Sequence, residues 1–292
     1  MRTVAALCRR NLHAYYRDPA MVFLSMLSSA MVWVLYVLFL GHLQVTRLQE
    51  DIPYATETQI NAFVDSWVFS GILMITAFMT GFTALNIYVD DLVTKRFKEF
   101  RAMPIRAAHV VLGYQITSII VAMIMSMVVL IVGYLIIGFA DSTWLKPMAI
   151  LQVVGITLLM SIAFTAFSLF LGSWAPSHAA ANAVGIIIGT ILGFFAGTYL
   201  PMGALTDNVA NGINMLPFSQ AAMLLRDPLA GDTLNNLSGG VPAVQDNLSV
   251  FYGFHLQIHS VTVQKWWVVA YLVGITVVFT ILGAIRIGRS IK

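Results

Sequence analysis

Charge is what this chain has least of. Asp, Glu, Lys and Arg make up 10% of its 292 residues, against 59% hydrophobic residues. A soluble domain of this size needs far more polar surface. The shortage is also local. Five windows carry no Asp, Glu, Lys or Arg: Pro19–Thr46, Ser66–Val89, Ala107–Ala140, Pro147–Thr206 and Trp266–Ile285. A membrane span needs roughly 20 apolar residues, and the fourth window is about three times that length. It breaks at the turn-like stretch Gly172–His178, which holds Ser173, Pro176 and Ser177. The composition therefore predicts an all-α integral membrane protein of six transmembrane helices.

Cysteine is nearly absent too. Cys8 stands alone, so no disulfide forms within the chain, which fits a prokaryotic cell membrane. No A-x-A-like cleavage site follows the first apolar stretch, so no removable signal peptide is expected. Chemical motifs are also missing. There is no Gly-x-x-x-x-Gly-Lys-Ser/Thr loop for ATP, no G-x-S-x-G elbow and no H-E-x-x-H. His255 and His259 are four residues apart but lack a third ligand, so neither a metal nor a catalytic residue is expected. The span interiors carry no carboxylate or ammonium group; Asp65 and Asp90 lie only at the ends of span two. Ion-coupled secondary transport usually keeps such groups at mid-membrane, and a membrane-embedded enzyme would need paired reactive residues. Both readings lose ground, and the energy for any work is expected from another polypeptide.

The charges that are present are sorted by side. Six spans put both termini on one face. That face collects twelve of the 16 basic residues: Arg2, Arg9, Arg10 and Arg17; Lys95, Arg96, Lys98, Arg101 and Arg106; Arg286, Arg289 and Lys292. Nine of the 13 acidic residues fall on the other face. The positive-inside rule then makes both termini cytoplasmic, and the basic patches read as topology signals rather than nucleic-acid sites.

The expected organisation is a single transmembrane domain. Residues 1–18 form an interfacial amphipathic helix, with Val4, Ala5, Cys8, Leu12, Tyr15 and Tyr16 on one face, Arg2, Arg9, Arg10, His13 and Arg17 on the other, and Asn11 a misfit. Spans are expected at 19–46, 66–89, 109–140, 147–172, 179–200 and 265–285. Span two places Thr76, Thr80, Thr83 and Asn86 on one stripe, which either bonds a neighbouring helix or lines a wet cavity. Loop 90–108 mixes charge with Phe97, Phe100 and Met103, which could share a helix face ended by Pro104. It is either an orientation-setting loop or a docking helix. Span five carries Gly185, Gly189, Gly193 and Gly197, three GxxxG steps suited to close helix packing. Segment 201–264 is too long for a simple connector. Its apolar first half, cut by Pro201, Pro217 and Pro228, suggests re-entrant helices; Gly231–Phe254 reads as an exposed loop.

In this setting three stretches stand out: Tyr15-Tyr16-Arg17-Asp18-Pro19; Phe97-Lys98-Glu99-Phe100-Arg101-Ala102-Met103-Pro104 with Gly113 downstream; and Gly197-Thr198-Tyr199-Leu200-Pro201 followed by Leu216-Pro217 and Arg226. Their order on a six-span chain resembles the permease subunits of the type-2 ABC exporter family. The resemblance implies a second permease subunit, identical or related, and cytoplasmic ABC ATPase subunits that bind the ATP and Mg. This chain itself would hold no cofactor. The ATPases would engage Arg9, Arg10 and Arg17 of the N-terminal helix and the coupling helix Lys95, Arg96, Phe97, Lys98, Glu99, Phe100, Arg101, Met103 and Pro104. Spans two and five would line the route, with Phe78, Phe82, Asn86, Thr190 and Phe194 as candidates. The cargo implied is a hydrophobic or amphipathic drug or antibiotic, with a polysaccharide or lipid-linked glycan as the alternative.

Overall fold

The structure, a computed structural model, describes residues 2–96, 107–259 and 261–291. Helix α1 (Arg2–Arg17) precedes a first rod made of α2 (Pro19–Leu35), a π-helical turn (Tyr36–Leu40) and α3 (Gly41–Asp51). The second rod is α4 (Glu57–Ala84) followed by α5 (Asn86–Val93). Three long helices come next: α6 (Ala107–Asp141), α7 (Pro147–Gly172) and α8 (His178–Phe195). Shorter helices α9 (Asp207–Asn214), α10 (Pro217–Leu237) and α11 (Pro242–Phe251) then lead through a small antiparallel hairpin, β1 (Gln257–Ile258) and β2 (Val261–Thr262), to α12 (Lys265–Ile291). Six of these stretches are long and apolar enough to cross a membrane: Pro19–Asp51, Glu57–Val93, Ala108–Asp141, Pro147–Gly172, His178–Phe195 and Lys265–Gly288.

Local chemistry sets the helix starts. Asp18 caps α2, its Oδ1 accepting from the amides of Ala20 (3.0 Å) and Met21 (3.1 Å), with Pro19 at the first helical position. Thr56 and Gln59 form a reciprocal capping box at α4. Ser177 caps α8.

The second span is the axis. In its most apolar window 94% of residues are buried, against 22% in the first and fifth spans and 17% in the sixth. Side chains that cover one another in this way leave the outer helices to face lipid. The approach is close: a Cβ on Gly81 of α4 would sit 2.8 Å from Cγ2 of Thr165 on α7. Both termini lie at one end, called here the near end. There Arg10 of α1 meets Asp91 of α5, and Arg286 of α12 donates to the carbonyl of Ser173 (3.1 Å) while lying over the Trp174 ring.

Several boundaries differ from expectation. The first rod runs to Asp51, because the polar stretch Gly41–Asp51 continues the helix and buries Gln44 and Leu48. Span five ends at Phe195, and Gly197 follows in the left-handed region at φ +63°. Gly197 therefore terminates the helix and is not a fourth step of its glycine face. Pro228 lies inside α10 and does not cut it. Gly231–Phe254 is not an exposed loop: it finishes α10, forms α11, and turns Tyr252, Phe254 and Leu256 into the core. The short apolar group Tyr252–Leu256 seals the end of the second span, and that burial outweighs the Gly/Asn-rich composition around it.

Candidate functional site

The near end holds two linked features, an ion-pair node and a cavity. The node begins on α1. Its buried face, Leu7, Cys8, Asn11 and Tyr15, packs on protein. A Cβ on Gly113 of α6 would come 2.9 Å from Cβ of Leu7, so the two helices run in contact. Asn11, the misfit of the amphipathic pattern, has a role here. Its Oδ1 accepts from Arg10 Nε (3.0 Å) and Nη2 (2.7 Å) and turns the guanidinium toward the bundle.

Arg10 then pairs with Asp91, a carboxylate with no exposed surface, which also accepts from the Tyr114 hydroxyl. Arg96 approaches the same carboxylate at 3.4 Å. Burial works against the Arg10 charge, but Asp91 beside it holds its pKa above the ordinary value. A buried carboxylate with two cations and a phenol around it ties α1, the end of span two and the start of span three into one unit. In sequence, Arg96 of this unit immediately precedes segment 97–106.

The cavity opens beside this node. It measures about 620 Å³ and lies between the starts of spans one and five and the end of span two. Met21, Leu24, Met79, Phe82 and Ile186 supply apolar walls; Ser28, Thr83, Asn86 and Asn182 supply polar atoms. Asp18, Asp90 and His178 also line it, and His178 Nε2 meets Asp90 Oδ1 at 2.8 Å across the mouth. Asn86 is half-buried and makes no side-chain hydrogen bond among the described residues.

The expected route residues separate. Phe82 and Asn86 line the cavity. Phe78 does not: it is fully buried, in edge contact with Phe164 (5.7 Å) and Phe218 (5.2 Å), and fills the junction of α4, α7 and α10. Thr190 and Phe194 are exposed on the outer flank of span five, away from the cavity. Helical spacing explains this. Gly185 and Gly189 face inward, where a Cβ would meet Phe82 (3.0 Å) and Met79 (3.1 Å); Thr190 and Phe194 continue the Asn182–Ile186 face in steps of four, one and two turns past the cavity. Gly193 faces the ring of Tyr199 from its own chain. The glycine positions thus admit side chains rather than a bare helix backbone.

The threonine stripe of span two also divides. Thr76 and Thr80 are buried and donate to the carbonyls of Ile72 (2.8 Å) and Thr76 (2.6 Å) in their own helix. Only Thr83 and Asn86 reach the cavity. Of the expected coupling residues, Arg9, Arg17 and Lys95 are exposed at the near end. Phe97, Lys98, Glu99, Phe100, Arg101, Met103 and Pro104 lie outside the described residues. His255 and His259 do not share a helix face; His259 sits in the hairpin turn at φ +47°.

Sequence reasoning did not find the partner of Asp91 or the environment of Arg226. Arg226 of α10 is fully buried at the far end and makes no ion pair among the described residues; neighbouring Asp227 pairs with Lys265. It donates to the carbonyls of Ala196 (2.5 Å) and Gly253 (2.8 Å) and lies 6.0 Å from the Trp67 ring centre. Burial lowers its pKa to about 9, so it stays charged at neutral pH. Trp67 Nε1 donates to the carbonyl of Tyr252 (3.0 Å), and the Tyr252 ring stands on Phe63 (4.9 Å). The cluster of Arg226, Trp67, Tyr252 and Phe63 is therefore enclosed, where the near end opens into a cavity.

A search of curated proteins finds no match to this chain. The model of the ABC-2 type transporter family, however, matches residues 2–227, from α1 into α10, and so spans both the node and the cavity. With six candidate spans and that match over most of its length, the chain belongs to the ABC-2 type transporter family and is an integral membrane protein of the kind that forms the family's transmembrane component.

Proposed function

We propose that this chain is the permease subunit of an exporter that moves amphipathic drugs or antibiotics out of the cell, driven by separate ATPase subunits. The observation that carries the reading is the near-end cavity of about 620 Å³, with apolar walls and scattered polar atoms, whose lining residue Asp90 is next in the chain to Asp91 of the node. Mixed lining of this kind suits a molecule with a large apolar body and a few polar groups. The polysaccharide alternative would favour a broader groove with many hydrogen-bonding groups.

In this reading the near end is cytoplasmic, as the basic residues on that face suggest. The ATPases dock on exposed Arg9 and Arg17 and on the 95–104 segment with Glu99 and Phe100. Their closure on ATP displaces α1 and that segment together, because Asp91 joins both to span two. A second permease subunit covers the exposed flank of span five, where Thr190 and Phe194 lie. The helices of segment 201–264 act as a re-entrant outer cap.

The test is reconstitution of the chain with and without an ABC ATPase partner, following efflux of an amphipathic dye. Transport is expected only with partner and ATP. Glu99→Lys or Phe100→Asp should abolish it while ATP hydrolysis continues and the chain stays inserted. Sustained uphill flux by the chain alone under an ion gradient would overturn the proposal.

A further inference from the structure

The near end is the basic face of the molecule, and its few acidic residues are placed unevenly. Among the described residues only Asp18, Asp90 and Asp91 belong to it. Asp91 is consumed by Arg10 in the buried node, and Glu99 lies outside the described residues. The remaining two, Asp18 and Asp90, both line the cavity, and no described lysine or arginine does. Asp18 spends Oδ1 on the two α2 amides, leaving Oδ2 uncommitted among the described residues. Asp90 keeps one contact, to His178, and is about half exposed. Between them sit the Asn86 amide, without a side-chain partner, and the apolar walls of Met79, Phe82 and Ile186.

We infer that this cavity selects cationic amphiphiles, molecules with a bulky apolar body and one delocalised or ammonium-type positive charge, with Asp90 as the principal charge selector and Asp18 as the second. The inference rests on the reading of the cavity as part of the transport route, and it adds the sign of the cargo. The physical basis is local. Both carboxylates are partly exposed, so each attracts a cation only modestly, and the apolar walls beside them hold the body of the same molecule. An anion of the same shape meets two carboxylates and, among the described lining residues, no lysine or arginine; His178, the one lining base, already faces Asp90.

Tetraphenylphosphonium and tetraphenylborate give the test, since they share shape and apolar surface and differ in sign. Binding of each is measured to the full chain in nanodiscs of zwitterionic lipid, with empty nanodiscs as the partition control. The phosphonium is expected to bind saturably and the borate not to compete. Asp90→Asn should weaken the phosphonium about fivefold, the scale of one half-exposed ion pair, while Asp90→Glu retains binding. Ile186→Trp fills the cavity from an exposed position and should abolish saturable binding; Asn86→Trp repeats the test from the opposite wall. Equal binding of the two ions, or an unchanged affinity in Asp90→Asn, would overturn charge selection alone. Unchanged binding in both tryptophan variants would overturn the cavity as the binding place, and with it the parent reading.

Discussion

The two ends of this bundle solve opposite problems with the same residue type. At the near end an arginine, Arg10, is partly exposed and faces a carboxylate, Asp91, that is wholly buried. At the far end an arginine, Arg226, is wholly buried and donates to backbone carbonyls, those of Ala196, Gly197 and Gly253. The first arrangement bridges α1, span two and span three beside an open cavity. The second pins the end of span five, helix α10 and the Tyr252–Phe254 turn into a closed, aromatic cap. The carbonyls of Ala196 and Gly197 are at the C-terminal end of α8, where the helix dipole favours a cation. The comparison teaches where movement can start. At the near end the Arg10–Asp91 node lies beside exposed Arg9 and Lys95, where a docking protein can push, whereas the Arg226 cluster must lose several buried polar contacts at once to open.

The strongest way to break that contrast is at Asp91. Asp91→Ala leaves the Tyr114 hydroxyl and the partly exposed Arg10 without their shared acceptor, at about 3 kcal/mol, the low end for breaking a buried pair because water reaches Arg10. Thermal unfolding in nanodiscs should show the loss. The double variant Arg10→Met with Asp91→Leu should recover most of it, because two matched apolar side chains leave no stranded charge. A double variant no better than the single one would mean that the node is not a pair. Arg226→Met comes next. It leaves the Ala196 and Gly253 carbonyls without their donor, at about 2–4 kcal/mol for two buried acceptors. Unlike Asp91→Ala, it should also raise protease cleavage within 249–256, since that turn loses its anchor.

Smaller changes sharpen the comparison. Gly253 lies at φ +72°, and a Cβ there would collide with Arg226, so Gly253→Ala should cost about 2 kcal/mol through strain and displacement together. Gly240 is also at positive φ, +75°, but has open space around it, so Gly240→Ala should cost only about 1 kcal/mol. Equal effects would show that the Arg226 contact adds nothing. The least effect is expected from Thr80→Val, whose hydroxyl bonds only its own helix: about 0.5 kcal/mol or less, with transport unchanged. A large transport defect there would return the upper threonines to the route.

Much of this was legible in the sequence because it depended on charge alone. Five uncharged windows and one turn at Gly172–His178 foretell six apolar helices without any knowledge of their neighbours. The cavity was half legible. The spacing of Thr83 and Asn86 marks a polar stripe, but nothing in the stripe says that Thr76 and Thr80 turn back onto their own helix. Phe78 was misjudged for the same reason: an aromatic residue one turn from Phe82 lines a route or fills a core depending on Phe164 and Phe218, which are far away in sequence. The Arg10–Asp91 pair spans 81 positions and Arg226–Gly253 spans 27, separations at which charge pattern carries no pairing information. The Tyr252–Phe254 turn is too short for any periodicity to mark it.

The account stands on the near end being open to the side that holds both termini while the core around Phe63, Trp67 and Arg226 is enclosed. Substituted-cysteine labelling in oriented vesicles tests this directly, in a Cys8→Ser background. A membrane-impermeant maleimide added from the terminus side should modify Asn86→Cys and leave Phe63→Cys untouched, and from the opposite side should modify neither in the absence of nucleotide. Modification of Asn86→Cys from the opposite side, or ready modification of Phe63→Cys there, would contradict the account.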